Sequence, residues 1–275
     1  MALKEFQGRT AYITGGSSGI GLAAAELLAN EGAHVLIMAR NEDRLRQSLA
    51  QVKGSARSSD QRFGFKSLDV SVREQVERAA AEAAAEFGPP DLLINCAGRA
   101  IPRRFEDIGL DQFDRTMKIN LYGIWHLVSA LLPVMKTKGR GHIVNVSSVA
   151  GLIGVFGYTD YCASKFAIIG FSEALRAEVK PYGLGVSVLC PPDTDTPGLI
   201  EENKTKPEET KAISGAVKLM SAQDVARAML SGVKKDKFLI LPSLDARLSN
   251  LVKRLLPGVL NWYMDLQVRR VQKSS

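Results

Sequence analysis

Cysteine is scarce in this sequence and badly placed for cross-linking. Cys96, Cys162 and Cys190 are odd in number and far apart, and none sits in a CxxC pair or a metal-ligand spacing. That argues against a disulfide scaffold and against a cysteine metal site, and it favours a reducing compartment. Uncharged apolar runs long enough to cross a bilayer are missing too. The opening MALKEFQGRTAYITGG lacks a long apolar stretch, so neither a signal peptide nor an N-terminal span is expected. There is no helix-turn-helix, zinc-finger or RNP-like stretch, so nucleic acid is not an expected partner. Internal repeats and low-complexity linkers are also lacking, which leaves one domain over residues 1–275.

What is present suits a globular chain: 45% hydrophobic and 24% charged residues. Short β-branched or aliphatic runs fall at 10–14, 34–39, 63–68, 91–95, 141–147, 185–190 and 237–241. Ala/Leu-rich helical patterns lie between them at 19–31, 41–52, 71–87, 111–136 and 159–181. Several strand runs are apolar at nearly every position, as strands buried on both faces are. Alternation of this kind predicts an α/β fold, a doubly wound parallel sheet of Rossmann type. The polar segment 192–222 follows the sixth strand, at the sheet end where ligands bind, and reads as a mobile substrate lid.

Thr14-Gly15-Gly16-Ser17-Ser18-Gly19-Ile20-Gly21 follows the first strand and opens the first helix. Glycines there allow a tight turn and close backbone approach to a pyrophosphate, and the helix N-terminus offers free N–H groups to the anion. The second strand ends in Met38-Ala39-Arg40-Asn41, without the acid that would accept from a ribose 2′-OH. Arg40 can pair with a 2′-phosphate, so NADPH is expected over NADH; the bland alternative is a surface arginine capping a loop. Asp69-Val70 closes the third strand, where Asp69 can accept from the adenine amino group. Asn95-Cys96-Ala97-Gly98 closes the fourth; Ala97 and Gly98 are small enough for close approach to the adenine ribose. Asn95 serves either that site or simply the tying of neighbouring strands.

Ser147-Ser148 and, further on, Tyr161-Cys162-Ala163-Ser164-Lys165 carry the candidate chemistry. Tyr161 and Lys165 are four apart in a helical stretch and share a face. A cation beside the phenol favours phenolate, so Lys165 is expected to acidify Tyr161 for proton transfer to a carbonyl oxygen. Ser148, at a strand end, can hydrogen-bond that oxygen. Asn120 in MKINLYG is a poor helix-interior residue. It either holds a water that links Lys165 to solvent or is a buried Asn satisfied by local backbone. No metal site is expected.

TGGSSGIG, NCAG, the Asn of KINLYG, the SSVAG serine and YCASK stand in the order and spacing of the short-chain dehydrogenase/reductase family, which this chain resembles over residues 6–240. The resemblance implies Ser148, Tyr161, Lys165 and Asn120 as the catalytic tetrad. It also implies that Tyr161 and Lys165 meet the cofactor as well. Where the family has Pro-Gly-x-x-x-Thr against the nicotinamide, this chain has Pro191-Pro192-Asp193-Thr194-Asp195-Thr196. Pro replaces Gly, Thr196 stays in register, and Pro191, Thr194 and Thr196 become implied cofactor contacts. The strings PPDTDTPG, EENKTKPEET, YCASKFAI and EVKPYG resemble the branch of the family that reduces 3-ketodihydrosphingosine. They imply NADPH-dependent reduction of a long-chain 2-amino-1-hydroxy ketone, a lipid substrate. Another ketone, such as a 3-oxoacyl thioester or a steroid, is the alternative activity; a non-catalytic NADPH-binding protein is the alternative class.

Of the seven excess positive charges, four lie from residue 240 onward, where Arg247, Lys253, Arg254, Arg269, Arg270 and Lys273 oppose Asp245 and Asp265. Leu244, Leu248, Leu251, Leu255, Leu256 and Val259 recur at helical spacing there, with a break expected at Pro257-Gly258. The amphipathic segment 244–275 can lie in a membrane interface through 244–270, pack on a second subunit or cover its own domain. A cytoplasmic location is expected, with peripheral contact to the cytoplasmic face of a membrane as one option. The family resemblance further suggests a homo-oligomer, a dimer or tetramer formed through 111–136 and 159–181, although Trp125 and Phe171 could equally be core residues.

Overall fold

The computed structural model describes residues 3–215 and 219–274. Seven parallel strands form one sheet in the order β3-β2-β1-β4-β5-β6-β9. They are β1 (Thr10–Thr14), β2 (His34–Ala39), β3 (Phe63–Ser67), β4 (Leu92–Asn95), β5 (Gly141–Val146), β6 (Leu184–Leu189) and β9 (Leu239–Ile240). The order reverses between β1 and β4, and this switch opens a crevice at the carboxyl ends of those strands.

Each strand serves two cores because its side chains alternate faces. From β1, Ala11 and Ile13 join Val35, Ile37 and Leu28 in the core on one side of the sheet. Tyr12, between them, joins Leu36, Leu93, Ile143 and Ile168 on the other. Helices α1 (Gly19–Asn30), α2 (Glu42–Gly54) and α9 (Ala222–Lys234) cover the first side. Helices α3 (Arg73–Phe87), α5 (Gly123–Lys138) and α6 (Thr159–Val179) cover the second. The Tyr12 hydroxyl reaches across that layer and donates to the carbonyls of Ala83 and Gly88.

Two departures from the sequence expectation bear on the site. The helical run 111–136 is not one helix: α4 (Leu110–Met117) passes through a π-helical turn at Lys118–Tyr122 into α5. The segment 192–222 is built from regular pieces: β7 (Thr194–Asp195), α7 (Pro197–Asn203), α8 (Glu208–Ser214) and β8 (Met220–Ser221), with β7 and β8 paired in parallel. Residues 216–218 of that segment lie outside the described residues, as do Met1, Ala2 and Ser275 at the chain ends. The C-terminal segment breaks where proline predicts: α10 (Leu244–Leu255) ends at Leu256 with φ −137°, and α11 (Pro257–Ser274) begins at Pro257. Among the described residues, no helix is long and apolar enough to cross a membrane.

Candidate active site

The glycine-rich loop after β1 is shaped by what a Cβ could not do. At Gly15, with φ +68°, a Cβ would come within 2.9 Å of the Ala97 amide nitrogen; at Gly21 it would meet the Gly15 carbonyl oxygen at 2.3 Å. The Thr14 hydroxyl accepts from the Cys96 and Ala97 amides at 3.1 and 3.2 Å, binding the end of β1 to the end of β4. Ser18 precedes α1 in extended conformation and makes no side-chain cap, and the first turn holds no acid. Gly19 packs on the Thr196 methyl, since a Cβ there would lie 2.9 Å from it. The uncapped helix end, with the Ser17 and Ser18 hydroxyls beside it, fits a pyrophosphate.

At the end of β2 the Arg40 side chain is 71% exposed, with Nη1 4.0 Å from the Asp69 carboxylate, too loose to hold it. Asp69 Oδ1 is taken by the Ser71 amide and hydroxyl, at 2.9 and 2.7 Å. The Val70 side chain packs against Gly123, and its carbonyl meets His126 Nδ1 at 2.9 Å. Asn95 ties strands together: its Nδ2 donates to Asn145 Oδ1 at 2.8 Å, and Asn145 in turn donates to Ser172 on α6 at 2.9 Å. Asn95 Oδ1 is buried and has no hydrogen-bond partner among the described residues.

Ser148, Tyr161 and Lys165 are brought together as their spacing predicts. Ser148 stands just beyond β5; its hydroxyl accepts from the Ala150 amide at 3.1 Å, and it lines one cavity with Tyr161. Lys165, one turn along α6 from Tyr161, is buried and donates to the Val146 carbonyl at 2.9 Å. Its Nζ lies 5.4 Å from the Tyr161 ring centroid. Gly98 lies against this pair, since a Cβ there would sit 3.5 Å from Lys165 Nζ and 3.3 Å from Asn120 Oδ1.

The electrostatics correct one expectation. Burial, and then the nearby Glu202 carboxylate, push the Tyr161 phenol above its ordinary pKa, and the Ser148 hydroxyl only partly opposes them. The Lys165 ammonium, itself desolvated so that its pKa falls to about 8 and directed at the Val146 carbonyl, does not offset that rise. Asn120, in the π turn, is fully buried. It accepts from the Arg99 amide at 2.9 Å and donates to the Arg99 carbonyl and the Ser164 hydroxyl, each at 3.0 Å. Asn120 is thus satisfied, though by the distant Arg99 backbone and Ser164 rather than by local backbone, and these bonds hold the 99 loop against α6.

A cavity of about 230 Å³ opens beside Ser148 and Tyr161. Ile20 joins it to the phosphate loop, and Pro191, Thr194 and Thr196 form part of its wall. Thr196 caps α7 by accepting from the Leu199 amide at 3.2 Å, Thr194 donates to the Pro192 carbonyl at 2.8 Å, and the Pro191 carbonyl accepts from Val149 N at 3.0 Å. Ile153, Val155, Leu199 and Ile213 make the lining largely apolar. The 192–222 segment is fastened over it: Tyr158 donates to Glu202 at 3.0 Å, Lys206 to Asp193 at 3.1 Å, Arg104 to Glu209 at 2.8 Å, and Thr210 to the Phe156 carbonyl at 2.8 Å. Sequence reasoning missed Tyr158, Glu202 and the wall supplied by Ala246 and Ser249 of α10. Tyr158 carried a usable signal as an aromatic three residues before Tyr161, at the N-cap of α6; Glu202, one acid among many in a polar stretch, carried none.

The short chain dehydrogenase family model matches residues 9–207. The 3-ketodihydrosphingosine reductase of Bos taurus is 41% identical over 232 residues, 84% of this chain and 70% of that protein. The 3-ketodihydrosphingosine reductase of Dictyostelium discoideum is 38% identical over 276 residues, covering 94% and 81%. Among solved structures, a short chain dehydrogenase/reductase from Burkholderia phymatum in complex with NAD superposes with a TM-score of 0.79 at 27% identity, covering 91% of this chain and 96% of that one. With a phosphate loop, a Ser-Tyr-Lys set and the sheet order that joins them, the chain belongs to the short chain dehydrogenase family and carries its nicotinamide-cofactor site.

Proposed function

We propose that the protein reduces the 3-keto group of 3-ketodihydrosphingosine to dihydrosphingosine, using NADPH. The observation that carries this reading is the apolar cavity that ends on Ser148 and Tyr161, in a chain 41% identical over most of its length to a reductase of that name. NADPH is favoured because Arg40 is exposed at the end of β2 where an NAD site needs an acid. Gly15, Ser17, Ser18, Gly19, Ile20 and Gly21 would hold the pyrophosphate side. Asp69, Val70, Asn95, Ala97 and Gly98 would border the adenosine, and Pro191, Thr194 and Thr196 the nicotinamide.

The bound dihydronicotinamide would supply the hydride to carbon three. Tyr161 donates its phenolic proton to the carbonyl oxygen, and Ser148 hydrogen-bonds the same oxygen as charge develops on it. The raised phenol keeps Tyr161 protonated at neutral pH, the form that reduction needs. Lys165 would hold the nicotinamide ribose and stabilise the phenolate left behind, while Asn120 positions the loop at Arg99.

Two surfaces extend this reading. The outer face of α10 and α11, with Leu248, Leu251, Leu255 and Trp262 exposed and basic residues between them, would rest on an anionic membrane surface where a long-chain substrate resides. The protein would then be cytoplasmic and peripherally associated with the cytoplasmic face of a membrane. The exposed aromatic face of α5 and α6 would bind a second copy of the chain.

An NADPH-oxidation assay with synthetic 3-ketodihydrosphingosine tests the activity, with NADH in parallel. Turnover is expected with NADPH, weaker with NADH. Tyr161→Phe should lose it by about 100-fold or more while still binding NADPH. Preference for a 3-oxoacyl thioester or a steroid, or unchanged turnover in the variant, would overturn the reading.

A further inference from the structure

We propose that Glu202 binds the 2-ammonium group of the substrate and thereby selects 2-amino ketones over simple ketones. This rests on the activity proposed above and names the residue that reads the substrate's charge. Glu202 lines the cavity from α7, and the Tyr158 hydroxyl donates to its Oε2 at 3.0 Å. The Tyr158 and Tyr161 rings lie 5.4 Å apart, so the carboxylate stands beside the reacting phenol. It is also the largest charge acting on that phenol.

Among the described residues, no cation stands within ion-pair distance of Glu202. Lys206, the cation on the same segment, is committed to Asp193 at 3.1 Å. Burial holds the Glu202 carboxyl above the usual carboxylate range, and Lys206 and Lys165, neither in contact with it, only partly oppose the rise. A partly buried carboxylate without a counter-ion destabilises its surroundings, and a ligand cation would compensate it.

The chemistry of the substrate fits this vacancy of charge. In a 2-amino-3-ketone the nitrogen is borne on the carbon next to the carbonyl. A carbonyl oxygen held by Ser148 and Tyr161 therefore keeps the ammonium near the same pair of tyrosines. A thioester or steroid ketone offers no cation there and would leave Glu202 uncompensated. Pairing also cancels the negative charge that opposes phenolate formation at Tyr161, so the correct substrate eases its own proton transfer.

The test compares kcat/KM for 3-ketodihydrosphingosine and its 2-desamino analogue in the wild-type protein, in Glu202→Gln and in Glu201→Gln. Glu201 is exposed and pairs with Lys204 outside the cavity. The wild type and Glu201→Gln should favour the amine by about 30-fold or more, the scale of a lost buried ion pair. Glu202→Gln should bring the ratio near one, because glutamine can still accept from Tyr158 but carries no charge. An equal fall on both substrates would make Glu202 a latch for the lid and overturn the proposal, as would a wild type that does not discriminate. A wild type that turns over a simple ketone but neither long-chain substrate would sink the substrate reading itself. A second measurement needs no variant: dihydrosphingosine should bind the wild-type protein about 30-fold more tightly than its N-acetyl form, and equal binding would overturn the proposal.

Discussion

Lys165 is a buried ammonium held by one backbone carbonyl, and its burial sets a pH dependence that can be read from stability. Its folded pKa, about 8, lies below the 10.5 of the unfolded chain. Between those values the unfolded state binds the extra proton, so burying Lys165 opposes folding below pH 8 and the penalty fades as pH rises toward 10.5. A Lys165→Met variant lacks that dependence. Between pH 7.5 and about pH 9.5 the nucleotide-free wild type should gain about 2 kcal/mol on the variant in urea denaturation. A difference that stays constant with pH would show that Lys165 is not desolvated. At this scale the sequence was informative about placement and less so about environment. The spacing of Ser148, Tyr161 and Lys165 put them together correctly, but Tyr161 shifts upward because of its burial and, after that, Glu202, both of which only the folded chain supplies.

The π turn between α4 and α5 shows why some elements could not be read in advance. Periodicity over 111–136 reports helix, and helix is there; the widened turn at Lys118–Tyr122 follows the position of Asn120, whose amide is matched by the Arg99 backbone and Ser164. Those partners lie outside the run, so nothing in its own pattern announces them. The 192–222 segment was equally opaque, because α7 and α8 are held by Glu202, Glu209 and Thr210 bonding to residues far off in the chain rather than by an apolar stripe. On α5, Trp125 is 58% exposed and packs obliquely on Phe171 at 5.7 Å beside a hollow of about 430 Å³ lined by Leu121, Tyr122, His126 and Ala167. If a second copy covers this face, Trp125→Glu should sediment as a monomer while its circular dichroism remains that of the wild type. An unchanged sedimentation coefficient, or a monomeric wild type, would remove that interface.

Across the whole molecule, the parallel sheet was the most legible feature, because strands apolar on both faces admit few other arrangements. The path of the C-terminal segment was left open between membrane, partner and domain, and the structure has α11 packed on α8 and α10 while Leu248 remains 61% exposed. If that outer face rests on lipid, Leu248→Glu should lower co-flotation with vesicles containing anionic phospholipid by about 10-fold. It should leave turnover of a short, water-dispersed 2-amino ketone close to that of the wild type. Undiminished flotation would mean that the face serves something other than a bilayer.

Helix α10 has two jobs on two sides. Ala246 and Ser249 close the reaction chamber, while Leu244, Leu248 and Leu251 point outward. If lipid covers the outward side, one helix is at once the docking surface and a wall of the chamber, so a shift of α10 on docking would change the size of the chamber. An aliphatic tail drawn in past α10 would leave by the same route, crossing from lipid to phenol and back without passing through bulk solvent.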